Sequence, residues 1–503
     1  MPRTVVLVLA ALSAGIAADA SAAPCDGLAS LKLPNTAIRM ARQVAAGAFE
    51  PPNGPLPPGP NPWADLPAFC RVAAMLTPSR DSDITIEVWL PSQNWNGKVQ
   101  AVGNGAWNGF ISYLAMADAL RRGYAVSATD TGHAGPGASF GLGHPEKVTD
   151  FASRAVHEMT VAAKAMVAAH YGTPAHRSYW VGCSAGGRQG LKAAQMFPAD
   201  FDGIVAGAPG LDWSGRSAQA VRVVQATAPP ESRLTPAALQ TLHAAVVTAC
   251  DAHDGVTDGL IAKPAACTFD PATLVCKGGS ANSACLTAAQ AATARLIYSP
   301  IASPASLREI PGLARGSELG WTDRGWSLSA RASGLDHFRY LVFADPKWDV
   351  SKFTLATDVA RLSEGVQASI DARDANLKPF FDRGGKLLQY HGWSDPQITP
   401  LASVAYYERV AAANGGAAKI DKSYRLFMAP GMAHCADGEG PSDFDELAAL
   451  EAWVESGQAP DAILATQVRD GRVDRTRPLC PYPQVASYTG RGSLDAAANF
   501  VCK

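Results

Sequence analysis

The chain has 503 residues, of which 47% are hydrophobic, and a formal net charge of −2. This length is sufficient for a large core or for two domains, and the charge gives no electrostatic reason to expect nucleic acid or an anionic membrane as a partner. The ten cysteines include no C-x-x-C pair. Their even number favours disulfides in an oxidising compartment over a zinc site or a thioredoxin-like centre.

The N-terminus has the composition of an export signal. Arg3 precedes an apolar run over residues 5–17, and small residues in an A-x-A pattern follow as far as Ala23. We interpret residues 1–23 as a signal peptide rather than a buried first helix. No later segment has the roughly 18 uninterrupted apolar residues that a spanning helix needs. The mature protein is therefore expected to be soluble and either secreted or periplasmic.

Strands and helices alternate along the first part of the chain. Residues 24–75 are rich in Pro and Gly and are predicted to form an irregular N-terminal arm. Strand-like runs follow at 83–91, 97–105, 124–130, 178–184 and 201–209, and helical spacing is found at 110–123, 151–170 and 186–198. This alternation predicts a mainly parallel sheet with helices on both faces.

The alternation is interrupted between residues 211 and 376, where the chain reads as helical or irregular and carries four of the ten cysteines. It then resumes, with strand-and-loop segments at 384–395 and 423–435, a last strand at 462–470, and helices at 403–416 and 444–457. We therefore predict one α/β domain, formed by residues 24–210 and 377–503, with an insertion over 211–376.

The segment Gly182-Cys183-Ser184-Ala185-Gly186 matches the G-x-S-x-G pattern of a nucleophile elbow. Such an elbow is a sharp turn from strand to helix, and its glycines keep side chains away from the strained serine. An apolar run precedes Ser184 and a helical run follows it, as the elbow requires. The alternative is that the glycines only make a tight turn between a strand and a helix.

A nucleophilic serine needs a general base that an acid orients, and in this chain order the acid precedes the histidine. Asp395 and His434 each follow an apolar strand and its loop, so we predict them to be the acid and the base. Asp382 and Asp437 are rival acids. His391 is a rival base, but it lies too close to the end of its strand.

The cysteines next to these residues are informative. Proximity along the chain suggests the pairs Cys25–Cys70, Cys250–Cys267, Cys276–Cys285 and Cys480–Cys502, which leaves Cys183 and Cys435 for each other. A disulfide holds its two Cα atoms roughly 4.4–6.8 Å apart, so this last bond would bring Ser184 close to His434. A catalytic Cys183 is the competing interpretation, and it would leave Cys435 as an odd thiol.

The sequence resembles the tannase and feruloyl esterase family, which includes the hydrolase of mono(2-hydroxyethyl) terephthalate. The resemblance runs from about Cys25 to Cys502, and its specific marks are GCSAGG at 182–187, HGWSD at 391–395 and HC at 434–435. It implies a triad of Ser184, Asp395 and His434 and the five disulfides above. It also implies an α/β-hydrolase fold with a large lid inserted before the catalytic acid, which agrees with the insertion at 211–376.

The acidic loop CDAHDGVTDGLI at 250–261 is a candidate calcium site. Asp251, Asp254 and Asp258 with two glycines form a set of hard oxygen donors on a turning loop, although a solvated Asp/Gly turn has the same composition. The family resemblance implies a structural Ca²⁺ in the lid, bound by these three carboxylates and by the backbone carbonyls of Val256 and Leu260.

The oxyanion hole is expected to use the backbone N–H of Ala185, the residue after the nucleophile. A second N–H is expected from the glycine-rich segment 102–109, where Gly105 is the first choice and Gly103 the alternative.

Together these features predict a secreted serine esterase that hydrolyses small-molecule esters of (hydroxy)aromatic acids, as a monomer or weak oligomer. Hydrolysis of mono(2-hydroxyethyl) terephthalate, polyester fragments or peptides remains an alternative. A non-catalytic binding protein on a hydrolase scaffold and a calcium-dependent carbohydrate-binding module are alternatives of another class. Four lid aromatics are candidates either for the substrate ring or for plain lid core: Trp321, Trp326, Phe338 and Tyr340.

Overall fold

The computed structural model describes residues 23–52, 59–278, 284–303, 308–321 and 334–503. The predicted signal peptide, apart from Ala23, and the lid candidate Trp326 lie outside the described residues. Within those ranges, no helix combines the length and the apolar character that crossing a bilayer requires.

A nine-stranded sheet forms the centre of the molecule. The strands of the described residues are β1 (Thr36–Val44), β2 (Phe69–Leu76), β3 (Ile84–Pro91), β4 (Lys98–Val102), β5 (Ala125–Thr129), β6 (Arg177–Cys183), β7 (Gly203–Gly207), β8 (Ile301–Ser303), β9 (Arg308–Ile310), β10 (Lys386–Gly392), β11 (Tyr424–Ala429), β12 (Ile463–Arg469), β13 (Arg472–Leu479), β14 (Ala486–Tyr488) and β15 (Phe500–Cys502). The order of strands in the nine-stranded sheet is β1-β2-β3-β5-β4-β6-β7-β10-β11. β3 is antiparallel to both of its neighbours, whereas β4, β5, β6, β7, β10 and β11 run parallel. From β2 onward this is the strand order of the α/β-hydrolase fold, which confirms the predicted fold class.

Helices cover both faces of the sheet, as the buried parallel strands require. The α-helices are α1 (Tyr113–Arg121), α2 (Pro145–Thr149), α3 (Ala155–Tyr171), α4 (Ala185–Met196), α5 (Trp213–Ala226), α6 (Pro236–Cys250), α7 (Ala288–Tyr298), α8 (Leu355–Asp358), α9 (Lys378–Asp382), α10 (Pro400–Ala413), α11 (Ala417–Ile420) and α12 (Glu446–Ser456). α3, α4 and α10 pack on one face, and α1 and α12 pack on the other. One apolar cluster fills each side.

The N-terminal region differs from its prediction. Residues 24–75 were expected to be irregular, but they contain β1 and β2, which pair as an antiparallel ribbon on the edge of the sheet. β2 is almost continuously buried, and β1 alternates between more and less exposed residues over most of its length. The Pro and Gly residues are concentrated between the two strands, so the overall Pro and Gly content of residues 24–75 does not reveal that the region contains strands.

The insertion lies between β7 and β10 and includes α5, α6, α7 and the short hairpin of β8 and β9. It has apolar clusters of its own, one around Leu242 and Ile297 and another around Phe338. The boundaries at 211 and 376 remain a prediction. The segment 462–470 was predicted to be the last strand, but β13, β14 and β15 follow it, and β12 pairs with β13 in a separate two-stranded sheet.

All five expected disulfides are present, and no cysteine is free. The bond between Cys183 and Cys435 joins residues 252 apart in sequence, with their Cα atoms 6.0 Å apart. Cys183 therefore has no thiol in this structure, which argues against the catalytic-cysteine interpretation.

A buried ion pair ties the edge strands to the rest of the sheet. The Glu87 carboxylate on β3 accepts hydrogen bonds from Arg71 Nε at 2.9 Å, Trp89 Nε1 at 2.8 Å and Tyr113 Oη at 2.8 Å. The side chains of Arg71 and Glu87 are only 6% and 5% exposed. Removing the carboxylate would leave these three donors, of which Arg71 and Trp89 are buried, without their acceptor.

We predict that Glu87→Ala lowers the free energy of unfolding by about 3–5 kcal/mol, because one partner of a buried pair is lost. Guanidinium denaturation of the purified protein measures this loss. Asp118→Ala is the matched control, since its ion pair with Arg121 is exposed and its loss should cost less than about 1 kcal/mol. Equal losses in the two variants would contradict the prediction.

Candidate active site

Ser184 lies in a strained turn between β6 and α4. Its φ is 62° and its ψ is −119°, a conformation that costs a non-glycine residue about 1–3 kcal/mol. The Ser184 N–H donates to the Gly207 carbonyl at 2.9 Å. The Ser184 carbonyl accepts from the N–H groups of Arg188 at 3.0 Å and Gly210 at 3.1 Å. A Cβ on Gly182 would come within 2.7 Å of the Gly186 backbone, so this position requires glycine. This is the geometry of a nucleophile elbow.

Asp395 and His434 form a hydrogen-bonded pair beyond the ends of β10 and β11. His434 Nδ1 lies 2.7 Å from Asp395 Oδ2. Asp395 is fully buried, and its Oδ1 accepts from the N–H groups of Gln397 at 2.7 Å and Ile398 at 3.0 Å. Burial alone would raise the pKa of Asp395, but His434 and His391 together hold this pKa well below its usual value. Asp395 is therefore ionised at neutral pH.

His391, the rival base, is a second partner of Asp395. It is fully buried, with Nε2 3.0 Å from Asp395 Oδ2 and 3.0 Å from the Ile398 carbonyl, and with Nδ1 2.7 Å from Ser403 Oγ. Both neighbours of Nε2 are acceptors, so we assign a proton to Nε2. Sequence reasoning missed this supporting contact. The signal for it was the spacing of four residues between His391 and Asp395.

The rival acids lie elsewhere. Asp382 forms an exposed ion pair with Lys378 on α9, at 2.5 Å. Asp437 is exposed on the loop that carries His434.

The Cys183–Cys435 disulfide connects the two halves of the site. Cys183 directly precedes Ser184, and Cys435 directly follows His434, so their 6.0 Å Cα–Cα separation limits how far the serine and histidine backbones can be from each other. Cys435 has a φ of 66°, which marks a tight turn at this point of the histidine loop.

The glycine-rich loop after β4 packs against the start of α4. The N–H of Gly103 donates to the Val181 carbonyl at 3.0 Å, and the N–H of Asn104 donates to Gln189 Oε1 at 3.1 Å. These two donors are already used. The Gly105 N–H has no hydrogen-bond acceptor in the part of the chain that the structure describes, and this favours Gly105 over Gly103 as an oxyanion donor. Ala185 is fully buried in the first turn of α4.

Aromatic rings border the elbow. Trp107 packs within 4.8 Å of Phe151 and 4.9 Å of Trp213, measured between ring centroids, and these rings belong to the apolar cluster that includes Ala185. The Arg188 guanidinium lies 4.9 Å above the Phe151 ring. Sequence reasoning did not identify these residues, because they come from distant parts of the chain.

Of the predicted lid aromatics, two belong to the apolar cores of the insertion. Trp321 packs 5.1 Å from Tyr298 in one cluster, and Phe338 is fully buried among other aromatic residues in the second cluster. Tyr340 is half-buried and packs against the cluster beside Ala185. Tyr340 is thus the candidate whose position suits a wall of the site.

The acidic loop has oxygen donors of the kind that calcium prefers. Asp254, Val256, Asp258 and Leu260 line one small cavity together with Arg477, which pairs with Asp258 at 2.5 Å. Asp251 shapes the loop by accepting the N–H of Gly259 at 2.8 Å. Within the described ranges, no three His, Cys, Asp or Glu side chains are grouped so as to hold a metal ion. Coordination of one calcium ion by all three carboxylates would therefore require Asp251, Asp254 and Asp258 to move closer together than they are in this structure.

Comparisons with known proteins agree with this geometry. The family Tannase and feruloyl esterase matches residues 70–503. An uncharacterized esterase of Xanthomonas campestris pv. campestris is 36% identical, over 99% of this chain and 94% of that protein. Probable feruloyl esterase B-1 of Aspergillus fumigatus is 36% identical, over 86% of this chain and 85% of that protein.

Solved structures are similar over nearly the whole length. The crystal structure of feruloyl esterase B from Aspergillus oryzae has a TM-score of 0.88 and 33% identity, and covers 95% of this chain and 99% of its own. Tannin acyl hydrolase from Aspergillus niger, at 22% identity and a TM-score of 0.74, shares the fold over 94% of this chain and 92% of its own. The chain therefore belongs to the tannase and feruloyl esterase family, whose members are carboxylic ester hydrolases.

Proposed function

We propose that this chain is a secreted serine esterase that hydrolyses esters of (hydroxy)aromatic acids, such as feruloyl, galloyl or related benzoate esters. The observation that carries the proposal is the hydrogen bond between the ionised Asp395 and His434. The Cys183–Cys435 disulfide links the backbone at His434 to the backbone at the strained Ser184. The relatives named feruloyl esterase support the aromatic acyl group. The five disulfides support export to an oxidising compartment.

In the proposed mechanism, His434 removes the Ser184 proton while Asp395 holds the imidazole in the correct tautomer and orientation. Ser184 Oγ attacks the ester carbonyl, and the N–H groups of Ala185 and Gly105 stabilise the oxyanion. The alcohol leaves with the proton from His434. Water, activated by the same histidine, then hydrolyses the acyl-enzyme.

The same three residues would serve other hydrolases, since a triad does not encode the acyl group. Hydrolysis of mono(2-hydroxyethyl) terephthalate or polyester fragments is therefore the second candidate, and a peptidase is a third. A non-catalytic binding protein is disfavoured because all three residues of the triad are present and the acid is paired with the histidine.

We predict that Ser184→Ala lowers kcat on the preferred ester by about 10⁴-fold or more. Initial rates on methyl ferulate, methyl gallate and mono(2-hydroxyethyl) terephthalate, measured in parallel for wild type and variant, test both mechanism and substrate class. A fluorophosphonate probe should label the wild type and not the variant. Wild-type rates in the variant would overturn the mechanism, and a preference for the terephthalate ester would replace the proposed substrate class.

We predict that the paired substitution Cys183→Ala, Cys435→Ala lowers kcat by up to about 10²-fold, because the base loop loses its link to the elbow. Steady-state kinetics on the folded variant measure this loss. Removing the remote Cys25–Cys70 bond in the same way is the matched control, and it should lower thermal stability but leave kcat unchanged. Full activity of the first variant would show that the bond does not position the base.

We further propose that the acidic loop binds one structural calcium ion, through Asp251, Asp254 and Asp258 and the carbonyls of Val256 and Leu260. Burial raises the pKa of Asp254, and repulsion from the carboxylates of Asp258 and Asp251 raises it further. Bound calcium would reduce this repulsion. The loop belongs to the insertion and contributes no residue of the triad, so a structural role is favoured over a catalytic one. A calcium-dependent sugar-binding module would instead lose sugar binding on chelation.

We predict that EDTA lowers the melting temperature without lowering kcat at 25 °C. The loss is about 2.7 kcal/mol of stability if calcium was present at roughly 100-fold above its Kd. Asp254→Asn should show the lower melting temperature already and should not respond to EDTA. Elemental analysis that finds no calcium, together with a melting temperature that EDTA does not change, would contradict the calcium site. Asp258 would then be a partner of Arg477 alone.

A further inference from the structure

The loop that carries His434 is closed at its base. The Gly431 carbonyl accepts from the N–H groups of Glu439 at 2.8 Å and Gly440 at 3.2 Å. Inside the loop, the Ala433 N–H donates to the Asp437 carbonyl at 3.0 Å. Glu439 therefore lies at the base of the loop, five residues after His434. A contact with its side chain holds the point at which the loop closes.

A histidine of the insertion contacts this glutamate. His243 on α6 has Nε2 2.9 Å from Glu439 Oε2 and Nδ1 2.8 Å from Glu318 Oε2. Glu318 is fully buried, and its other oxygen accepts from Tyr298 Oη at 2.6 Å and from the Gly316 N–H at 2.8 Å. One end of the chain of contacts is thus fixed in the core of the insertion, and the other end holds the histidine loop.

His243 carries a positive charge at neutral pH. Each ring nitrogen faces a carboxylate, so both nitrogens must be protonated to donate. Burial would lower the pKa of His243, but the hydrogen bonds and charges of Glu318 and Glu439 raise it to about 9. Among the described residues, two further ionisable groups adjoin the cluster: Tyr298, which donates to Glu318, and Arg315, whose guanidinium lies 4.7 Å above the Tyr298 ring.

We propose that His243 and Glu439 are positioning residues for the base, because they fix the His434 loop against the insertion. The proposal rests on the proposed role of His434 in ester hydrolysis. The loop is then held to the elbow by the Cys183–Cys435 disulfide and to the insertion by the Glu439–His243 contact. Two hydrogen bonds from the α/β domain also hold it, from the Ser394 N–H to the Met432 carbonyl at 3.0 Å and from Gln467 Nε2 to the Glu439 carbonyl at 2.9 Å. Neither His243 nor Glu439 takes part in the chemistry itself.

This contact makes the base loop sensitive to alkaline pH. The pKa of His243 is higher in the folded protein than its ordinary value near 6.5, so the stability that the charged contact contributes is complete below about pH 6.5 and decreases above it. It is lost as the pH rises through about 9, when His243 releases a proton and the attraction to Glu439 disappears. In the wild type, kcat, corrected for spontaneous ester hydrolysis, is therefore expected to fall as the pH rises through about 9.

The test uses Glu439→Gln, which removes the charge but leaves Glu318 paired with His243, so the core of the insertion is spared. We expect kcat to fall about tenfold with KM unchanged, and the alkaline decline of kcat to become shallower. Asp437→Asn is the matched control, because it removes an exposed carboxylate from the same loop at a φ of 58°, which asparagine tolerates. Its kcat should equal that of the wild type.

The rate of labelling by a fluorophosphonate separates this inference from the proposed function, since it reports the reactivity of Ser184 with no ester present. A slower rate in Glu439→Gln than in Asp437→Asn and wild type supports the inference. Equal rates in all three proteins, a rise in KM alone, or equal losses in the two variants would overturn it. A wild type that is not labelled at all would overturn the proposed function, and the role of His243 with it.

Discussion

The turn at Ser184 is the constraint on which the rest of the site depends. A serine at φ 62° and ψ −119° is stable only where neighbouring backbone holds it, and here the Gly207 carbonyl on β7 and the Gly210 N–H provide the hydrogen bonds. The strands on either side of β6 must approach closely for this to happen. A Cβ on Gly103 would lie 2.5 Å from Gly186 Cα, and one on Gly187 would overlap the Gly207 carbonyl oxygen. The glycine-rich loop after β4 and the elbow are thus packed as one unit.

The second requirement is a carboxylate that stays charged without water. Asp395 is fully buried, yet two backbone N–H groups and two imidazoles surround it, and these donors offset the desolvation. His391 matters here because it occupies one side of Oδ2 and leaves His434 the other. The acid is thus oriented before any substrate binds, so the position of the base is the remaining variable.

Much of this arrangement could be predicted from the sequence. Ser184, Asp395 and His434 each follow a parallel strand, and the carboxyl ends of parallel strands meet at one edge of a sheet, so local pattern and topology suffice. The contacts that depend on packing between distant segments were not predictable. The sequence left Trp321 and Phe338 open between substrate contact and plain core, and both fill apolar cores of the insertion, while Trp107 and Phe151, which border Ala185, carried no signal. Spacing along the chain does not encode which of several aromatic residues meet.

The three catalytic candidates all follow strands of the central sheet, and the insertion supplies none of them. It nevertheless contributes Glu318, a fully buried carboxylate, and His243, and two buried charges are costly to desolvate. An apolar contact of similar size would hold the insertion on the sheet at least as well, but it would allow several orientations. An imidazolium between two carboxylates requires one orientation. In the proposed role, the charged cluster therefore orients the insertion relative to the His434 loop more sharply than hydrophobic packing alone.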